Sequence, residues 1–332
     1  MRNFYYYFFV LLFGCSSSDN RILVKNSGEA QGSFYHIQYL SENGVNYQAQ
    51  IDSILLEIDS SLSIYKEYSL ISQLNNGKDV KTDTLFNTVF MGAQKVFLES
   101  KGNFDCSIYP LVKAWGFYDN QLVDSIVIDS LKFRNVLQFV GFDKINLIGN
   151  SLILPKGMSL DFNSIAQGYT VDVIAQFLEG KGDSNYLVEV GGELLAKGKN
   201  ADGNIWRVGV DKPTDSIYGN ERFLFILDLE NKALATSGNY RKFYEKDGIK
   251  YAHTINPFTA FPAQNRLLSV TVIHDNCMLA DAYATAFMVM GIRKSKQFAK
   301  LHSEVEVYLV YTGKDGSWET FISSAMEKRI IN

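Results

Sequence analysis

"LLSVTVIHDNCMLADAYATAFMVMG", residues 267–291, reads as a strand that feeds a helix. Residues 267–273 are apolar and rich in β-branched side chains, as strands are. Residues 279–291 are apolar almost throughout, yet they carry one carboxylate, Asp281, and one hydroxyl, Thr285. On a helix, residues four apart share a face. A carboxylate and a hydroxyl there can both reach one hard cation such as Mg²⁺. Alternatively, Asp281 caps the helix start and Thr285 bonds back to a helix carbonyl.

Working outward, the rest of the chain alternates strands and helices in mixed blocks. "SFYHIQYL" (33–40) alternates like a strand, and 47–63 places Ile51, Ile54, Leu55 and Ile58 on one helical face. Residues 84–100 and 164–182 read as two further helices, the first closed by Lys101-Gly102 and the second by glycine. "NYLVEVGGELLAKGK" reads as strand, Gly-Gly turn, strand, and "IWRVGVDKP" and "FLFILDLENKALATSG" add more strands. Residues 241–255 read as a hairpin turning at Asp247-Gly248. Without a regular βαβ beat, this pattern predicts an α+β fold with largely antiparallel sheet rather than a doubly wound one.

Among 332 residues, 46% are hydrophobic and 20% charged, and the net charge is −4. That balance excludes the basic footprint of a nucleic-acid partner. The chain lacks a P-loop and a G-x-G-x-x-G turn after a strand. "ATSGNY" is not a G-x-S-x-G elbow, and four His with three Cys make a zinc site a poor reading. At the N-terminus, Arg2 precedes an apolar run from Phe4 to Phe13, too short to span a bilayer but suited to a signal-peptide core. "LFGC" resembles a bacterial lipobox, which implies cleavage before Cys15 and acylation of its sulfur, with an ordinary secretory signal as the alternative. The expected organisation is a signal peptide over 1–14, a lipid-anchored tether over 15–22 and one domain over 23–332. The other two cysteines, Cys106 and Cys277, read as separate buried thiols, since one pair makes no disulfide framework.

Three further segments carry candidate chemistry. "DFNSIAQGYTVD" (161–172) places Asp161 at the end of an expected strand, before polar residues that open a helix. Such a start either binds an anion through free N–H groups or is closed by a cap. "YAHTINPFTAFP" (251–262) puts His253 before an Asn-Pro turn, where it is a general base or a structural residue. "GNFDCSIYPLVKAWGF" (102–117) joins a Gly-led turn, an acid and a Trp, and its tight turn suits the presentation of backbone donors.

In order, these segments resemble the ApbE family, the FAD:protein FMN transferases. Further matches are Gly32-Ser33-Phe34-Tyr35, "LSIYKEYSLISQLN" (62–75), "VEVGG", "WRVGVDKP" and "ATSGNY", so that the resemblance runs from about residue 28 to 291. It implies an ApbE-like, T-fold-like α+β domain of mixed, largely antiparallel sheets with packed helices. It also implies a Mg²⁺-dependent cleavage of FAD that attaches FMN to a Thr or Ser hydroxyl of a partner protein and releases AMP. Carried over by residue, FAD contacts Gln31, Tyr65, Asn103, Phe104, Asp105, Asp161, Gln167 and Ile255. The metal ligands are the Ser164 carbonyl, Asp281 and Thr285, and His253 is the catalytic base. The implied acceptor is an exported or membrane redox protein with a Ser/Thr-Gly-Ala-Ser/Thr-type segment.

The chain departs from the family pattern at Gln167, where Lys is common, and at Ala284, where some members have a third acid. It departs again at Asn256 and Ala260, in place of the usual Asp and Gly of a turn. Alternative readings are an FAD pyrophosphatase giving FMN and AMP, a non-catalytic flavin-binding lipoprotein, and a structural surface lipoprotein.

Overall fold

The computed structural model describes residues 21–118, 130–214, 222–239, 243–246, 249–252 and 254–331. The signal peptide, Cys15, the Asp247-Gly248 turn and His253 lie outside them.

The chain runs β1 (Arg21–Ala30), β2 (Ser33–Glu42), α1 (Gln48–Leu62), α2 (Leu70–Asn75), α3 (Thr84–Glu99), α4 (Tyr109–Ala114) and α5 (Ser130–Leu137). It continues through β3 (Asn146–Ile148), β4 (Ser151–Ile153), α6 (Ala166–Gly180), β5 (Tyr186–Val190), β6 (Glu193–Lys197), β7 (Trp206–Asp211) and β8 (Phe223–Leu229). Then come β9 (Lys232–Gly238), β10 (Phe243–Lys246), β11 (Ile249–Ala252), β12 (Leu267–His274), α7 (Cys277–Leu301), β13 (Glu306–Thr312), β14 (Trp318–Ile322), α8 (Ser324–Glu327) and β15 (Ile330–Ile331). The order of the main sheet is β1-β2-β5-β6-β9-β12-β13-β14, and β15-β8-β7 forms a smaller one. The pairings between these strands are antiparallel, as the irregular alternation of elements predicts.

Three layers result. One face of β2 and β5 presents Tyr35, Ile37, Tyr39, Val188 and Val190 to Ile51 and Leu55 of α1 and to Val171, Ile174 and Leu178 of α6. β12 and β13 carry α3 and α7 in a second, larger core. On the other side of the sheet, Trp206, Val208, Leu227 and Leu229 of the small sheet meet Leu234, Ile273 and Val310. β12 is therefore covered on both faces, which is why "LLSVTVI" is apolar without strict alternation.

Several expectations change. β1 begins at Arg21, so the last two residues of the expected tether, Arg21 and Ile22, are in the sheet opposite Glu42 and Ser41. Asp161 ends no strand: the Asn75 side chain, rather than a neighbouring strand, takes both backbone groups of Leu160, at 2.8 and 2.7 Å. β8 and β9, adjacent in sequence, part at Asn231 (φ 50°) into different sheets. α7 is interrupted at Gly291, whose φ of 71° leaves the helical region. Cys106 and Cys277 are both free and buried, as expected.

Candidate active site at the start of α6

Residues 161–170 are the hub of the site. Asp161 is held from behind, its N–H donating to the Cys106 carbonyl at 2.8 Å. Its own Oδ1 accepts the Asn163 N–H at 2.8 Å, an Asx turn that swings the chain into the helix. The Asn163 amide donates to the Tyr65 hydroxyl at 3.2 Å, which brings the Tyr65 ring to the hub. That ring is more than half exposed and lies parallel to Tyr118, with centroids 5.4 Å apart.

α6 opens without a side-chain cap on its Ile165 end. The Gly168 N–H, in the first turn, is one of the donors that a helix start leaves without a helical partner. It donates to Asp281 Oδ2 at 3.1 Å, and among the described residues the Ser164 carbonyl, just ahead of the helix, accepts no hydrogen bond. Glycine is needed at 168: a Cβ there would collide with the Cys277 carbonyl oxygen and stand 2.9 Å from the Asp281 Cβ. Asp281 thus faces α6 and is not the cap of α7, a role filled by Asn276, which accepts the Leu279 N–H. Thr285, one turn on, has its Oγ1 3.4 Å from Ser237 Oγ on β9.

The FAD residues expected from the resemblance fall into two groups. Gln31 sits at the β1–β2 turn with φ 53° and donates through Nε2 to Thr170 Oγ1 at 2.8 Å; its Oε1 is buried without a partner among the described residues. The Gln167 amide fills the space that a Cβ on Gly191 would take, so that glycine (φ 70°) makes room for it. Asp105 Oδ1 accepts from the Ser107 N–H and hydroxyl at 2.7 and 2.6 Å, and its Oδ2 from Phe142 N–H at 3.2 Å. Gln31, Tyr65, Asp161 and Gln167 thus converge on the hub, and Asp105 adjoins it through Cys106, whose carbonyl accepts the Asp161 N–H.

Asn103, Phe104 and Ile255 do not join it through side chains. Phe104 and Ile255 are buried in apolar clusters, so each could offer a ligand only its backbone. The expected backbone donors of the 102–104 turn are used internally: Gly102 N–H on Phe97, Asn103 N–H on Ser100, and Phe104 N–H on Ser100 Oγ.

Charge sets the character of the site. Burial pushes Asp161 up to about 6 and Asp281 to about 7, each opposed by one backbone N–H. Asp105 is also raised by burial, against its three hydrogen bonds. Burial first, then the charges of Asp105, Asp161 and Asp281, drive the Cys106 thiol upward; the Ser164 hydroxyl opposes them. Among the described residues no cationic side chain pairs with Asp161 or Asp281. No three His, Cys, Asp or Glu side chains among the described residues form a metal-ligand group.

The sequence reading overlooked Gly168 and Asp172, on one face of α6, and passed over Ser237 as a failed nucleophile. A glycine in the first turn of a helix, followed four residues later by an acid, is the signal that could have found the first two.

The chain and its fold match known proteins. The ApbE family model aligns with residues 31–309. The FAD:protein FMN transferase of Vibrio cholerae serotype O1 is 34% identical over 327 residues, 95% of each chain. That of Haemophilus influenzae is 33% identical, covering 92% of this chain and 91% of its own. Among solved structures, the flavin transferase ApbE from Vibrio cholerae superimposes with a TM-score of 0.83 at 31% identity, over 93% of this chain and 99% of that one. The apo form of the Pseudomonas stutzeri flavinyl transferase ApbE gives the same TM-score at 28% identity, over 93% and 97%. This chain belongs to the ApbE family.

Proposed function

We propose that this protein is a Mg²⁺-dependent FAD:protein FMN transferase, attaching FMN to a Thr or Ser hydroxyl of an acceptor protein and releasing AMP. The observation that carries this reading is the pair of buried, cation-free carboxylates at the opening of α6: Asp161 just ahead of it, and Asp281, which accepts the Gly168 N–H of its first turn. Two buried acids without a counter-charge are costly. They are what a divalent cation and a polar ligand would complete.

The donors fit the ion. A carboxylate (Asp281), a hydroxyl (Thr285) and a backbone carbonyl (Ser164) are hard oxygen ligands of the kind Mg²⁺ takes, with waters and phosphate oxygens filling the remainder. When bound, the ion neutralises the diphosphate and polarises the phosphorus under attack. The residues of the chain do the rest. Gln31, with its orphan Oε1, and Gln167 offer neutral polar contacts to FAD, and the exposed face of Tyr65 offers a flat surface for one of its rings. His253 accepts the proton of the acceptor hydroxyl; the oxygen bonds to the FMN phosphorus, and the diphosphate P–O bond breaks to leave AMP.

The lipobox at Cys15 supports export and anchoring in the cell envelope by acylation, so the acceptor is an exported or membrane redox protein with a Ser/Thr-Gly-Ala-Ser/Thr-type segment. Among the described residues no helix is long and apolar enough to cross a membrane. The deciding experiment incubates the protein with FAD, Mg²⁺ and an acceptor domain carrying that segment. Flavin fluorescence that stays with the acceptor on a denaturing gel, and is lost with EDTA, is the expected result. Free FMN and AMP without labelled acceptor would replace transfer by hydrolysis.

A further inference from the structure

α6 and α7 exchange hydrogen bonds in both directions. α7 gives the Asp281 carboxylate to the Gly168 N–H of α6. α6 returns the Asp172 carboxylate: its Oδ1 and Oδ2 accept the N–H groups of Cys277 and Met278, each at 2.9 Å, at the very start of α7. These are among the donors that a helix start leaves unpaired. Asp172 is 6% exposed and lies one turn beyond Gly168, on the same face of α6. Between the two bonds the backbones are in contact, since a Cβ at Gly168 would strike the Cys277 carbonyl.

We propose that Asp172 is a positioning residue for the metal site, holding α7 against the opening of α6, where Ser164, Asp281 and Thr285 are the expected ligands. The inference rests on the function proposed above. The geometry favours it over simple capping. Asn276 already supplies a local cap for α7, whereas Asp172 reaches α7 from another helix more than 100 residues away in sequence. The tie leads toward the expected metal-ligand set: Asp172 fixes residues 277–278, one turn later Asp281 meets Gly168, and Ser164 and Thr285 each lie four residues further along their own segments. A tie with two short bonds at one end and a backbone contact in the middle leaves little freedom to slide, because packed helices resist small shifts.

The test compares Asp172→Asn and Asp172→Glu with Asp83→Ala. Asp83 caps α3 through the Phe86 N–H at 2.7 Å, outside the proposed site, so its loss matches the cost of a missing cap. Mn²⁺ binding to the full-length protein is followed by electron paramagnetic resonance, with and without ADP as a diphosphate that carries no flavin. Asp172→Asn should raise the Mn²⁺ dissociation constant at least tenfold. Asp172→Glu, which keeps the charge and acceptors but lengthens the tie, should do so too, with near-normal thermal stability. Asp83→Ala should lose stability and bind Mn²⁺ as wild type does. Wild-type affinity in the Glu variant would mean that Asp172 is only a cap, and the inference fails. Asp281→Ala separates the two readings: if it binds Mn²⁺ normally, or if wild type binds none, the metal site itself is wrong and this inference falls with it.

Discussion

The Gly168 N–H donates to Asp281 Oδ2 at 3.1 Å across the seam between α6 and α7. The bond satisfies a backbone donor that the start of α6 leaves without a helical partner, and it fixes a buried carboxylate against that start. It also requires a residue without a side chain.

Gly168→Ala is therefore expected to destabilise the protein by about 1–3 kcal/mol, the usual cost of overpacking, despite the better helix propensity of alanine. Urea denaturation measures it. An alanine variant as stable as wild type would mean that the two helices separate without cost.

A pH signature follows from Asp172. Burial lifts its carboxyl from an ordinary value near 3.8 to about 6, against the N–H groups of Met278 and Cys277. The native state thus takes up a proton on folding between those values, so this group's contribution is greatest below pH 4 and is lost as pH rises through 6. Asparagine cannot titrate. The stability of wild type relative to Asp172→Asn should improve as pH falls from 7 to 5, by at most about 1.4 kcal/mol per unit. Denaturant midpoints of both proteins across that range check it, and a constant difference refutes the assignment.

His253→Ala should slow transfer about 10²–10⁴-fold, the range of general base catalysis, and leave FAD affinity nearly intact. Single-turnover rates with FAD bound make the comparison. If FAD affinity collapses while the rate per bound FAD stays normal, His253 is a structural residue.

The two internal thiols should be inert. Cys106 and Cys277 are fully enclosed, and burial together with neighbouring carboxylates keeps both protonated. With Cys15 replaced by serine, a thiol reagent should react with neither in the native protein at pH 8 and with both in denaturant. Rapid native labelling of Cys106 would show that solvent reaches the acidic hub.

The sequence made some of this legible and hid the remainder for physical reasons. The strand and helix of 267–291 showed because apolar period and length are local properties. Asp281 and Thr285 stood out as polar groups in an apolar run. The strand expected before Asp161 was wrong because an extended segment paired with the Asn75 side chain looks, in sequence, like one paired with a strand. β13, whose seven residues are almost all buried, lies beyond the stretch that the resemblance covers, and a short, fully buried run carries no period that separates strand from helix. The tie from Asp172 to α7 could not be read locally. The Ser164 carbonyl is a backbone atom, which every residue has, so only the resemblance pointed to it.

The bond between Gly168 and Asp281 spans 113 residues of chain. Closing so long a loop costs entropy that only late, non-local contacts can offset. A nascent chain that ends before residue 277 therefore holds α6 without its partner, and its acidic hub is half built. Under the export proposed above, a full-length precursor kept unfolded is in the same condition, its hub unassembled in the compartment of its synthesis. The separation in sequence works as a timer, tying the birth of activity to the completion of folding.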